Sequence, residues 1–110
     1  MLQLGARPDG AGVMLFVNPA SHSGAGAKVI RAARAHLPAL RVVELRPGED
    51  WDALIRQRGA AADVLAVAGG DGTVGTVAAA ALELDKPLAV LPAGTFNHFA
   101  KDVGNHPLYR

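Results

Sequence analysis

The segment Gly69-Gly70-Asp71-Gly72-Thr73 places three glycines, a carboxylate and a hydroxyl within five residues. Glycine allows positive-φ turns and lets backbone N–H groups come close to an anion, because no Cβ stands in the way. Asp71 does not suit a bare phosphate cradle, since it would repel the ligand. It suits a site that also holds a metal ion or takes a proton. Two other polar clusters stand out: Asn18-Pro19-Ala20-Ser21-His22-Ser23-Gly24-Ala25-Gly26 and Gly94-Thr95-Phe96-Asn97. Each also has a plain structural reading. Asp71 or Thr73 would cap a helix after a tight turn, Thr95 would cap another, and Asn18-Pro19 would merely stop a strand.

The elements that must position these clusters are readable from apolar runs and their stops. Val13–Val17 is a continuous apolar, β-prone run, as expected of a strand covered on both faces. It ends at Asn18-Pro19. Ser23 is the expected N-cap of a helix from about Gly24 to Leu37, with Val29, Ile30, Ala33 and Leu37 on one face and Pro38 as its stop. Arg41–Leu45 reads as a second strand. Asp50 then caps a helix carrying Trp51, Leu54, Ile55 and Arg58, which Gly59 terminates. Val64–Ala68 is the third strand and runs straight into the glycine turn. Val74 to Leu84 follows as a helix, with Val77, Ala78, Ala81 and Leu82 beside Val74 on one face. Leu88–Leu91 is the fourth strand and 96–103 a short final helix. Residues 1–12 mix Gly, Pro, Arg and Asp and are expected to form a disordered leader.

Apolar strands alternating with amphipathic helices predict an α/β domain with a mostly parallel sheet between two helical layers, a three-layer Rossmann-like arrangement. All three polar clusters fall just after strands. In open α/β sheets ligands sit outside the carboxyl ends of the strands. Three loops converging on one edge favour a site over three unrelated turns.

Composition narrows the chemistry. The 110 residues suit one small domain, half of them hydrophobic and many of those alanine, which favours close helix–sheet contact. The net charge of +1, without a Lys/Arg run, argues against a nucleic-acid partner, and so do the few aromatic residues. There is no cysteine, which excludes disulfides and thiolate metal sites and fits a reducing compartment. No apolar leader resembling a signal peptide is visible, and no stretch approaches the ~20 apolar residues of a membrane span. Lys28 has no surrounding Walker A pattern. His22, His36, His98 and His106 have no ligand spacing. Gly24-Ala25-Gly26-Ala27-Lys28-Val29 is an incomplete dinucleotide fingerprint with Glu44 near the ribose-binding position. A Rossmann glycine turn, however, follows its strand at once, and here Asn18-Pro19 and four more residues intervene.

Taken together, Asn18-Pro-Ala-Ser-His-Ser-Gly-Ala-Gly26, Gly69-Gly-Asp-Gly-Thr73 and Leu91-Pro-Ala-Gly-Thr-Phe-Asn-His-Phe-Ala100 resemble the diacylglycerol kinase catalytic domain family. That family includes bacterial lipid kinases and sphingosine kinases and is distantly related to NAD kinases and phosphofructokinases. The resemblance covers roughly residues 13–104. It implies ATP-dependent phosphorylation of a lipid hydroxyl with Mg²⁺, and it implies that residues 13–110 are the N-terminal ATP-binding domain. A β-rich C-terminal domain that closes the cleft and helps bind lipid is expected to be absent from this chain. The isolated chain is accordingly expected to be inactive, with an exposed docking face open to self-association.

By the same resemblance, Gly69, Gly70, Gly72 and Thr73 correspond to the phosphate-binding loop. Asn18, Ser23, Gly24 and Gly26 correspond to the first nucleotide loop, and Gly94, Thr95 and Asn97 to the third. Asp71 corresponds to the acid that is either general base on the acceptor hydroxyl or organiser of the phosphates through Mg²⁺. Departures from the family pattern occur at Gly75-Thr76, where many members carry Asn-Glu, and at Phe96, His98 and Leu45–Gly48. A lipid substrate implies a cytoplasmic location, peripheral to the inner face of the membrane. Two other readings stand beside this one: an NAD-kinase-like enzyme with a soluble acceptor, and a non-catalytic nucleotide-binding or interaction module.

Overall fold

The computed structural model describes residues 9–19 and 25–91. The elements run β1 (Val13–Val17), α1 (Ala25–His36), β2 (Arg41–Glu44), α2 (Trp51–Gly59), β3 (Val64–Ala68), α3 (Asp71–Leu84) and β4 (Leu88–Leu91). The four strands form one parallel sheet in the order β2-β1-β3-β4. β1 and β3 lie in the middle, and every residue of both is buried, which explains why they are apolar without alternation.

The pleat sends alternate residues to two cores. Val13, Leu15, Val17, Val64, Ala66 and Ala68 meet Val29, Ile30 and Ala33 of α1, and Leu37 just after it, on one face. Met14, Phe16, Leu65 and Val67 meet Ile55 of α2 and Val77, Ala80 and Ala81 of α3 on the other. The expected three-layer α/β/α arrangement is what forms.

Local chemistry fixes the element ends. Asp50 caps α2 by accepting the Ala53 N–H at 3.2 Å, a contact of the kind that contributes about 1 kcal/mol. The Trp51 indole N–H donates to the Arg46 carbonyl at 2.8 Å and pins the turn before α2. Gly59 does not terminate α2 by a left-handed turn. It is the helix's buried last residue, and a Cβ there would lie 3.0 Å from Leu65 Cδ2, so it is glycine for packing. Asp85 ends α3 in the left-handed region (φ 56°, ψ 49°), a conformation Asp tolerates better than most residues. Lys86 Nζ then donates to the carbonyls of Ala60 and Ala62, joining the turn before β3 to the turn before β4.

Two sequence expectations need correction. Residues 9–12, assigned to the leader, form a turn held to the sheet: Asp63 and Val64 donate to the Gly12 carbonyl at 2.8 and 3.1 Å, and Ala39 donates to the Asp9 carbonyl at 2.9 Å. The buried face of α3 is Thr73, Val77, Ala80 and Ala81, whereas Leu82 is 84% exposed. The helix begins at Asp71 rather than Val74, and its contact face follows Thr73, i+4 and i+7 from there. The Ser23 cap and the final helix at 96–103 lie outside the described residues.

Candidate functional site

The connection from β1 leads to one edge of the sheet and that from β3 to the other, so the order in which strands are added reverses between these two central, parallel strands. A crevice outside the carboxyl ends at such a switch point is where doubly wound sheets bind ligands. Val17 pairs with Ala68, so Asn18 and Gly69 leave adjacent strands at the same level. Ala68 also pairs with Leu91, bringing the end of β4 to that edge.

Gly70 is the N-cap of α3, and Asp71, Gly72 and Thr73 are its first three residues. The first N–H groups of a helix have no intrahelical acceptor, and their dipoles give the end a partial positive charge. Neither Asp71 nor Thr73 supplies the expected cap, since α3 has no side-chain cap hydrogen bond. Asp71 is exposed, and its carboxylate forms no hydrogen bond or ion pair with any described residue. Thr73 is buried at 7% exposure beneath Gly69, where a Cβ would lie 3.0 Å from Thr73 Cβ. Gly69 is therefore glycine because Thr73 packs against it.

The other glycines of the segment have no packing partner among the described residues. Among the described residues, a Cβ on Gly70, Gly72 or Gly75 would meet no atom within 4 Å. Gly70 has an extended backbone (φ −80°, ψ −180°) that any residue adopts. Gly72 and Gly75 lie within a helix, where glycine costs about 1 kcal/mol relative to alanine. Thr76 spends its hydroxyl on the Gly72 carbonyl at 3.0 Å, leaving the exposed surface from Asp71 to Gly75 free of long side chains. The sequence signal for Gly75 was its presence in an otherwise good helix-forming run.

Gly26 has the opposite character. It is buried, and a Cβ there would fall 2.5 Å from the Asn18 carbonyl oxygen and 2.9 Å from Pro19 Cα. It seats the start of α1 against the exit of β1 and so shapes the crevice wall from behind. Ser23, Gly24, Gly94, Thr95 and Asn97, assigned to the same site from the sequence, lie outside the described residues.

Among the described residues no three His, Asp or Glu side chains gather to hold a metal ion. Asp71 alone suits the way Mg²⁺ is bound with nucleotides, through one or two carboxylates plus phosphates and water. A cavity of about 190 Å³ lined by Ala11, Gly12, Met14, Arg41 and Ala62 lies at the amino ends of the strands, away from this crevice. No helix of the described residues is long and apolar enough to cross a membrane.

Comparison with known proteins matches residues 12–108 to the diacylglycerol kinase catalytic domain. Human diacylglycerol kinase zeta is 36% identical over 93 residues, covering 81% of this chain and 10% of the human protein. A diacylglycerol kinase of Mycobacterium tuberculosis is 36% identical over 97 residues, covering 84% of this chain and 31% of its own length. The crystal structure of a diacylglycerol kinase from Bacillus anthracis superposes with a TM-score of 0.58 at 28% identity, over 84% of this chain and 36% of that one. The chain thus spans a tenth to about a third of the length of these relatives.

Proposed function

This chain belongs to the diacylglycerol kinase catalytic domain family, and from that premise we propose that it is the nucleotide-binding domain of an ATP-dependent lipid kinase. The observation that carries the reading is the open glycine surface at the start of α3. Among the described residues nothing packs where a Cβ on Gly70, Gly72 or Gly75 would stand, yet these glycines lie at the switch point where a ligand's phosphates would approach.

In this reading the N–H groups of Gly70 to Thr73 hold phosphate oxygens of ATP, assisted by the α3 dipole. Phosphoryl transfer asks the protein mainly for positioning and charge neutralisation, and a helix end fixed to a buried sheet supplies positioning. Asp71 is the residue that would hold Mg²⁺, which when bound neutralises charge on the phosphoryl group. The same carboxylate, exposed and unengaged, is alternatively the acceptor of the lipid hydroxyl's proton. A carboxylate is a weak base and would take that proton late, as the hydroxyl acidifies. Thr73, buried beside Gly69, fixes the loop from below. The additional length of the relatives supports a further segment beside this domain, which in this reading closes over the crevice and binds the lipid; the assembled enzyme would then work in the cytoplasm at the inner face of a membrane.

Thermal shift with ATP and Mg²⁺ tests the reading. Gly70→Val should fold normally, because its Cβ has open space and its backbone suits valine, yet lose the nucleotide-dependent rise in melting temperature. Asp71→Asn separates the two roles: a metal ligand loses the ATP–Mg²⁺ shift while keeping the shift with ATP and a chelator, and a base keeps both. Equal shifts for wild type and Gly70→Val, or no shift in wild type, overturn the assignment.

A further inference from the structure

We propose that the exposed face of α1 is a docking surface for an anionic lipid bilayer. The net charge of +1 conceals a segregated distribution. No Asp or Glu occurs between Asp9 and Glu44, a span that contains the whole of α1. Val29, Ile30 and Ala33 point from α1 into the core, and Lys28, Arg31 and Arg34 are exposed on the other side. The three cations rise along about 9 Å of helix axis. Ala27 and Ala35, also exposed, flank the row, so neither puts a long side chain beside the cations. None of the three takes part in an ion pair with a described residue.

The opposite helical layer has the reverse sign. Asp50, Asp52, Asp71, Glu83 and Asp85 cap or lie on α2 and α3, against Arg56 and Arg58. Arg56 is already paired with Glu83 at 2.8 Å. A planar anionic surface would attract the α1 face, repel the α2/α3 face and so orient the molecule. The α1 face carries no aromatic side chain to stack on bases, and a low-relief row of cations and methyl groups suits a plane better than a groove. The choice of a bilayer as partner rests on the lipid-kinase reading, because such an enzyme must meet its substrate at one. Gly26 packs the start of α1 against Asn18, so docking through α1 holds the crevice edge beside the lipid.

Co-sedimentation of the chain with vesicles of phosphatidylglycerol and phosphatidylcholine, without nucleotide, is the test. Binding should exceed that to phosphatidylcholine alone and fall steeply with added salt. Each cation near an anionic surface changes partitioning by about fivefold, so Lys28→Gln, Arg31→Gln and Arg34→Gln together should weaken it on the order of a hundredfold. Arg58→Gln, on the other layer, should change it little. Arg31→Gln alone keeps the test valid if the triple variant fails to fold. Binding that is insensitive to salt or to Arg31→Gln, equal binding to neutral vesicles, or displacement by a short DNA duplex more readily than by anionic vesicles would each overturn the proposal. The readout uses no ATP, so a chain that binds vesicles but shows no nucleotide shift refutes the kinase reading while leaving this face standing.

Discussion

Replacing Gly72 and Gly75 by alanine sets the two demands on α3 against each other. Both positions are helical and open, so each alanine removes a helix-propensity penalty of up to about 1 kcal/mol without meeting a neighbour. For a domain of this size that raises the melting temperature by roughly 4–8 °C for the interior Gly75 and by less for Gly72 in the first turn. A helical Cβ tilts towards the N-terminus, so the Gly72 methyl would project into the space in front of the free N–H groups. With ligand at a hundred times its dissociation constant, ATP–Mg²⁺ should stabilise the wild type by about 2.7 kcal/mol. A hundredfold loss of affinity would leave about 0.4 kcal/mol. Differential scanning fluorimetry with and without nucleotide measures both quantities in one series. The expected outcome for Gly72→Ala is a more stable apo chain with most of its nucleotide shift gone. Stabilisation with an undiminished shift would refute the phosphate platform. Destabilisation of the apo chain would refute the claim that the glycines lack a packing role.

Gly26→Ala should behave in the opposite way: its Cβ would overlap the Asn18 carbonyl and Pro19 backbone, so urea unfolding should show a loss of about 1–3 kcal/mol or a failure to fold. Ile55→Ala removes the fully buried anchor of α2 and should lower stability by about 2–5 kcal/mol in the same assay. Lys86→Met keeps the aliphatic stem but loses the donors to the Ala60 and Ala62 carbonyls; a loss of about 1–2 kcal/mol and faster amide exchange around residues 60–64 should follow. Glu83→Gln breaks an ion pair between two exposed side chains and should change stability by less than about 1 kcal/mol.

Much of this was legible in the residues themselves. β1, β3 and β4 are bounded where Asn18-Pro19, the glycine turn and the residues after Leu91 stop apolar runs, and the Asp50 cap follows from its short acidic side chain before an amphipathic stretch. The strand order was not legible. Strands buried on both faces carry no alternation, so nothing local says that β1 sits between β2 and β3. The start of α3 was hidden because glycine and aspartate in a first turn look like loop. Gly26 read as part of a ligand loop because a sequence does not show which backbone stands behind it. The cationic face of α1 is invisible in the net charge, because the sum cancels what the fold separates.

The placement of β1 between β2 and β3 also governs how the chain can come together. Val13 must wait for Val64, which follows about fifty residues later. Pairings between such distant segments form slowly compared with local helical contacts. Until β3 arrives, an intermediate of β1, α1 and β2 would carry one long apolar edge with unpaired backbone groups, the kind of surface on which chains aggregate. The two strands whose carboxyl ends frame the crevice are thus the pair joined across the longest span of sequence, so the crevice cannot exist before the sheet's centre closes.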